Sequence, residues 1–280
     1  MGSYAYYNGR FGKREDISIP LSDRSIFFAD AIYDAAIGSY DRILWEKEHI
    51  DRFFNNSEKI GIKHNFTKES FSQLLHEIGV RSMLKSYFIY FQMSRSLPTR
   101  IHSAKNASAS LLITVDKVDI SPHPVPLKLI TREDKRYGYC DIKTTNLLPA
   151  VLASTKADHE GCDEAVFIKN GYVTECSKSN ISIIKQGRII THPKSSRILP
   201  GITREHLLSN CIELGIDFEE RPFSTEELFS ADEILVSGTG KLCKTVSHIN
   251  NISVGGKAPY LAGVLCEKMY KEYVSFCQIS

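Results

Sequence analysis

Three stretches of this chain set a glycine turn between two β-rich arms, and they restrict its fold more than any other feature. "YAYYNGRF" near the start and "EAVFIKNGYVTE" from 164 each carry Asn-Gly, and "ISIIKQGRIITH" from 181 carries Gln-Gly. Such turns join neighbouring antiparallel strands, because their positive φ values match the strand twist. Hairpins therefore occur in both halves of the chain, mixed with helices in no regular strand-helix-strand order. That mixture argues against a Rossmann or TIM arrangement and predicts a mixed α/β fold of α+β character.

Helical spacing fills in the rest. From Glu46, apolar residues recur at Ile50, Phe53, Phe54 and Ile60, with Gly61 as the stop, and Thr67 caps a second helix burying Phe71, Leu74, Leu75 and Ile78. "YFIYFQMSR" and "SASLLITV" read as strands, closing a unit near residue 120. "SPHPVP" follows, with three prolines in six residues that continue neither a helix nor a central strand. The expected organisation is a smaller N-terminal unit at 1–120, a linker at 121–126 and a larger hairpin-rich unit at 127–280 that carries Lys143. Within the last, "LLPAVLASTKADHEG" is a helix with Pro149 in its first turn, "STEE" at 224–227 is a capping box, and the final helix runs through "YLAGVLCEKMYKEYVSF".

Composition narrows the function classes. The chain of 280 residues is 42% hydrophobic, enough for a substantial core. Its 35 basic and 33 acidic residues leave a formal charge of +2, so no broad field exists for nucleic acid or an anionic membrane. A small molecule or another protein is the expected partner. Seven cysteines show no C-x-x-C pair and no metal-ligand rhythm, which predicts no metal site and a reducing, cytoplasmic setting. No apolar run suits a secretory signal or a membrane span.

Lys143 is the residue whose position asks for a reason. It follows a strand-like run and directly precedes an apolar helix in "GYCDIKTTNLLPAVLA". Most such lysines are salt-bridged or pack their stem while the head reaches water. A minority carry chemistry, because desolvation favours the neutral, nucleophilic amine.

Five separated stretches decide between these readings: "HIDR" at 49–52, "YFQMSR" at 90–95, "CDIKTTNLL" at 140–148, "VTECSKSN" at 173–180 and "GITRE" at 201–205. In that order and spacing the sequence resembles the two-domain fold-type IV enzymes that use pyridoxal 5′-phosphate, most closely the D-amino acid aminotransferases. The resemblance covers nearly the whole chain. It implies that Lys143 forms a Schiff base with the cofactor aldehyde and shuttles the substrate α-proton. It implies that Glu175 faces the pyridine nitrogen and keeps it protonated. Taken alone, without the lysine motif, Glu175 reads as an N-cap or turn carboxylate beside Ser177 and Ser179.

For the cofactor phosphate the resemblance implies Arg52, the amides of Ile202 and Thr203 where "LPGITREHLL" opens a helix, the Thr203 hydroxyl, and Thr239 in "SGTGK". Arg136, seven residues before Lys143, is a candidate to support the cofactor from behind. Arg100 and His102 of "LPTRIHSA" match the Arg-x-His pattern that holds a substrate α-carboxylate, with Tyr33 as a third donor. Residues two apart in an extended segment point the same way. The same carry-over sets this loop over a partner subunit's site, hence a homodimer. The implied reaction is transamination between a D-amino acid and a 2-oxo acid. Gly238-Thr239-Gly240 departs from the D-specific pattern and partly resembles the Gly-Thr turn of L-branched-chain aminotransferases. That activity, aminodeoxychorismate lyase and a silent cofactor-binding protein stand as alternatives.

Overall fold

Asn8 and Gly9 take φ values of 44° and 90°, and the chain reverses there to pair β1 (Tyr4–Tyr7) with β2 (Arg10–Lys13). This computed structural model describes residues 4–121 and 125–278. The chain forms two units, one built from the residues up to Ile120 together with Ile142–Asn146, the other from Ser121–Asp141 and Leu147–Gln278. Residues 122–124 of the expected linker lie outside the described residues.

The first unit continues with α1 (Ser25–Phe28), β3 (Ala31–Ser39), β4 (Arg42–Ile43), α2 (Glu46–Lys59), α3 (Lys68–Ser82), β5 (Ser86–Ser96) and β6 (Ser108–Lys117). Its six strands form one antiparallel sheet in the order β2-β1-β6-β5-β3-β4. Strand alternation sends Ile89, Phe91 and Met93 of β5 into the core with Phe53 of α2 and Phe71 and Leu75 of α3. The Phe53 ring stacks on Phe71 at 5.1 Å and meets Phe91 edge-on at 4.9 Å. Thr67 caps α3 as expected, in a reciprocal box with Ser70.

The second unit contains β7 (Leu127–Glu133), α4 (Leu148–His159), β8 (Glu164–Lys169), β9 (Tyr172–Cys176), β10 (Asn180–Lys185), β11 (Arg188–Thr191), α5 (Ile202–Leu214), β12 (Phe218–Glu220), α6 (Thr225–Ser230), β13 (Glu233–Gly238), β14 (Leu242–Ile249), β15 (Ile252–Ser253) and α7 (Pro259–Gln278). The sheet runs β12-β11-β10-β13-β14-β7-β8-β9, with β15 beside β14. Both expected hairpins form, β8–β9 through Asn170-Gly171 and β10–β11 through Gln186-Gly187. The sheet is not purely antiparallel: β7 is parallel to both β8 and β14, and β11 to β12. Ile181, Ile183, Ile234 and Val236 face one core, while α4 buries Ala150, Ala153 and Ala157 against Ala165 and Phe167.

Linear order predicts that the lysine segment belongs to the hairpin-rich unit, and the structure differs. Ile142–Asn146 joins the first unit because it pairs with the start of β3. Tyr33 N–H donates to the Lys143 carbonyl at 2.8 Å, Thr145 N–H to the Ala31 carbonyl at 3.2 Å, and Ile32 bridges Thr144. Three backbone pairings outweigh chain continuity. None of the seven cysteines, all among the described residues, is in a disulfide.

Candidate active site

Alternation along β3 places consecutive side chains on opposite faces, so Tyr33 and Asp34 serve different neighbours. Tyr33 stacks on Tyr90 at 5.3 Å, and the half-buried Lys143 sets its Nζ 4.5 Å above the Tyr33 ring centroid. An aromatic face attracts an ammonium at this range and fixes where the amine rests. Burial and the phenolic oxygen of Tyr33 both push Tyr90 well above the usual phenol range.

Asp34 is fully buried and turns the other way, toward α2. His49 and Arg52 are three residues apart on that helix and so share a face. Arg52 Nε and Nη2 donate to Asp34 at 2.7 and 2.8 Å, and His49 Nδ1 lies 2.8 Å from the same carboxylate. Burial pushes the Asp34 carboxyl up, but Arg52 and His49 outweigh it and hold it well below the usual carboxylate range. Burial also drives His49 down, against the pull of Asp34. The bidentate grip fixes the Arg52 guanidinium plane. Asp34 escaped the sequence reading because one acid within a strand is uninformative without knowing that Arg52 lies beside it.

Arg100 and His102 lie exposed on the loop between β5 and β6, and they meet at one ring. The Arg100 guanidinium sits 4.9 Å from the centroid of Phe28, and the His102 ring lies 5.2 Å from it. Tyr33, the expected third donor, has Tyr90 and Lys143 as neighbours of its ring.

In the second unit, Glu175 lies near the end of a hairpin arm, buried and surrounded by donors. Arg136 Nη1 donates to one carboxylate oxygen, while Asn180 Nδ2 and Leu199 N–H donate to the other at 3.0 Å each. Each of these three partners is a donor, the arrangement a carboxylate accepts from with both oxygens. Arg136 is gripped in turn by Asp134 at 2.8 and 2.9 Å and lies 4.5 Å from the Phe167 ring centroid. Burial alone lowers the Arg136 pKa, but Asp134 and Glu175 drive it upward. Asp134, raised by burial and lowered more strongly by Arg136, stays below the usual carboxylate range.

Ile202 and Thr203 are the first residues of α5, and its N-cap Gly201 provides no side-chain cap. The first amides of a helix lack intrahelical acceptors and present positive charge. A Cβ on Gly201 would lie 1.9 Å from Asn180 Oδ1, so glycine lets this helix start press against the residue that holds Glu175. Thr239 lies in the turn between β13 and β14. Beneath that turn the fully buried Glu164 accepts from Lys178 N–H at 2.6 Å, from Ser179 Oγ at 2.8 Å and from Lys241 Nζ. Glu164 was missed in the sequence because its partners Ser179 and Lys241 come from separate segments, and Asn180 and Asp134 because the sequence does not say which acid or arginine they hold.

Comparison with known proteins places this geometry. Residues 32–249 match amino-transferase class IV. The D-alanine aminotransferase of Bacillus licheniformis is 32% identical over 258 residues, covering 90% of each chain. That of Staphylococcus epidermidis is 34% identical over 254 residues, covering 89% of this chain and 90% of the relative. The branched-chain aminotransferase of Thermoproteus uzoniensis, solved with norvaline, superposes with a TM-score of 0.90 at 23% identity, covering 98% of this chain and 96% of that one. The match runs from β3 through the lysine segment and the Glu175 hairpin to the end of β14, and the chain therefore belongs to the amino-transferase class IV family.

Proposed function

We propose that this chain is a pyridoxal 5′-phosphate-dependent enzyme that moves the amino group of a D-amino acid, of the D-alanine type, to a 2-oxo acid such as 2-oxoglutarate or pyruvate. Class IV aminotransferases use this cofactor. The D-alanine aminotransferases at 32% and 34% identity over about nine-tenths of the chain support the substrate class. One observation carries the chemistry: Glu175 is a buried carboxylate whose partners Arg136, Asn180 and Leu199 all donate to it.

The residues fit a phosphorylated pyridine aldehyde. A buried carboxylate at Glu175, held by Arg136, Asn180 and Leu199, suits a ring nitrogen that must stay protonated. The first turn of α5, which lacks a side-chain cap, suits the phosphate, and Ser237 Oγ, two residues before Thr239, is buried without a hydrogen-bond partner among the described residues. An amine at Lys143 suits the aldehyde.

When bound, the cofactor supplies an aldehyde that takes up amino groups and a ring that accepts electron density. Lys143 Nζ tethers it, then takes the substrate α-proton and returns it. Glu175 holds the ring-nitrogen proton, and Arg136 keeps Glu175 ionised. Arg52, oriented by Asp34, and Ile202, Thr203 and Thr239 bind the phosphate. Arg100 and His102 bind the substrate carboxylate, with Tyr33 presenting its ring to Lys143. A homodimer is part of this reading: Leu148, Val151 and Leu152 form an apolar stripe on α4, 63%, 53% and 62% exposed, of the kind that a second copy covers.

The Gly238-Thr239-Gly240 turn favours the L-branched-chain alternative, and a direct test separates the two. Protein reconstituted with cofactor should be yellow, and borohydride should fix the cofactor on the peptide containing Lys143. D-Alanine, not L-alanine, should bleach the visible band. Preferential turnover of L-leucine would reverse the handedness; aminodeoxychorismate cleavage would replace the reaction; absence of colour would remove the cofactor.

A further inference from the structure

We propose that Arg24 and Phe28 are positioning residues for recognition of the substrate carboxylate, a reading that rests on the role given above to Arg100 and His102. Neither belongs to the Arg-x-His pattern, and both act through it. Arg24, 4% exposed, is the N-cap of α1 and spends its whole guanidinium on the loop and its anchor. Nε donates to Asp30 at 2.7 Å, Nη1 to the Ile101 carbonyl at 2.5 Å and Nη2 to the His102 carbonyl at 2.8 Å. One rigid fork therefore fixes two successive carbonyls within the Arg-x-His segment. Asp30 is itself gripped by Arg95 Nε at 2.9 Å and Nη2 at 2.6 Å, and Arg95 Nη1 reaches the Ile60 carbonyl at 3.1 Å. Burial pushes the Asp30 carboxyl up, but Arg95 and Arg24 bring it below the usual range. The anchor therefore stays charged through the neutral pH range.

Phe28, at the other end of α1, supplies the second half of the device. Its ring centroid is 4.6 Å from the Arg24 guanidinium carbon, 4.9 Å from that of Arg100 and 5.2 Å from the His102 ring. A guanidinium lying over a ring uses its face and leaves its in-plane N–H donors for a planar anion. Phe28 thus gives Arg100 and His102 a common platform although the loop has no strand to align them. A carboxylate then meets two donors already ordered, which lowers the entropy cost of binding it.

The test compares four variants of the cofactor-loaded enzyme: Phe28→Leu, Phe28→Tyr, Arg24→Gln and Arg100→Ala. Removing the ring in Phe28→Leu should raise KM for D-alanine and for pyruvate about fivefold to tenfold, the worth of a cation–π contact, with kcat kept within about twofold. Phe28→Tyr, which keeps an aromatic face, should restore KM. Arg24→Gln should raise KM further, and its visible spectrum should stay that of the parent enzyme. If Arg100→Ala raises KM while the Phe28 and Arg24 variants lose only melting temperature, the two residues are structural and the inference fails. If Arg100→Ala itself leaves KM unchanged, the carboxylate reading fails, and this inference with it. Should Arg24→Gln not fold, the Phe28 pair decides alone.

Discussion

Glu175 and Glu164 are both buried acids in the second unit, yet their surroundings predict different losses. Glu175→Gln keeps the shape but turns one oxygen into a donor facing Arg136, Asn180 and Leu199, all donors already. The variant should still bind cofactor, with kcat falling roughly a hundredfold, the scale of one preorganised electrostatic contact; single-turnover rates with D-alanine measure this. Glu164 is held by Lys178 N–H, Ser179 Oγ and Lys241 Nζ. Lys241→Met removes the ammonium that pairs with it and strands a buried charge, which costs roughly 3–5 kcal/mol. Denaturant midpoints should show that loss, and Glu164→Gln combined with Lys241→Met should recover most of it. The site residues differ in how far the sequence reveals them. Lys143 and Glu175 sit in motifs long enough to recognise, whereas Asp34 matters through Arg52, which folding brings near from another element.

At the level of elements, the start of α5 is where packing and proposed chemistry meet. Gly201 is a glycine because a methyl group there would lie 1.9 Å from Asn180 Oδ1, while Asn180 Nδ2 is pinned to Glu175 at 3.0 Å and to the Leu199 carbonyl at 2.9 Å. Gly201→Ala should displace Asn180 and weaken cofactor affinity by about tenfold or more, since one good hydrogen bond to a charged group is worth that much. A cofactor titration followed by fluorescence checks it, and unchanged affinity would mean that Asn180 yields freely. Helix boundaries were legible where a local rule fixes them, as with the Thr67 and Ser224 capping boxes. The four-residue helix α1 was not legible, because too few residues carry a period. Nor were the parallel pairings of β7, since a strand's own sequence does not reveal which neighbour it takes.

For the whole molecule, titration predicts how stability follows pH. Burial lowers His49, His64 and His192 from the ordinary value of 6.5, so the unfolded chain takes up protons that the folded chain refuses. Stability is full above that value and declines as pH falls below it. In Asp30, Asp34 and Asp134, burial is outweighed by arginine partners, with His49 assisting at Asp34, and the folded carboxyls lie below the ordinary 3.8. Their contribution is intact above 3.8 and is lost as pH drops through it toward the folded values. Melting temperature should therefore fall in two steps, and His49→Gln should shrink the upper one. A homodimer covering α4 predicts that Val151→Glu with Leu152→Lys shifts sedimentation toward a monomer; an unchanged profile would leave that stripe unused. The sequence by itself determined the hairpins, the capped helices and the motifs around Lys143 and Glu175, because turn chemistry, periodicity and short-range spacing act between residues close in the chain. Only the tertiary structure decided that the lysine segment joins β3, that Asp34 orients Arg52, and that Arg24 and Phe28 underlie the Arg-x-His loop. Those are contacts between distant segments, made by backbone pairing and charge burial that exist only once the chain has folded.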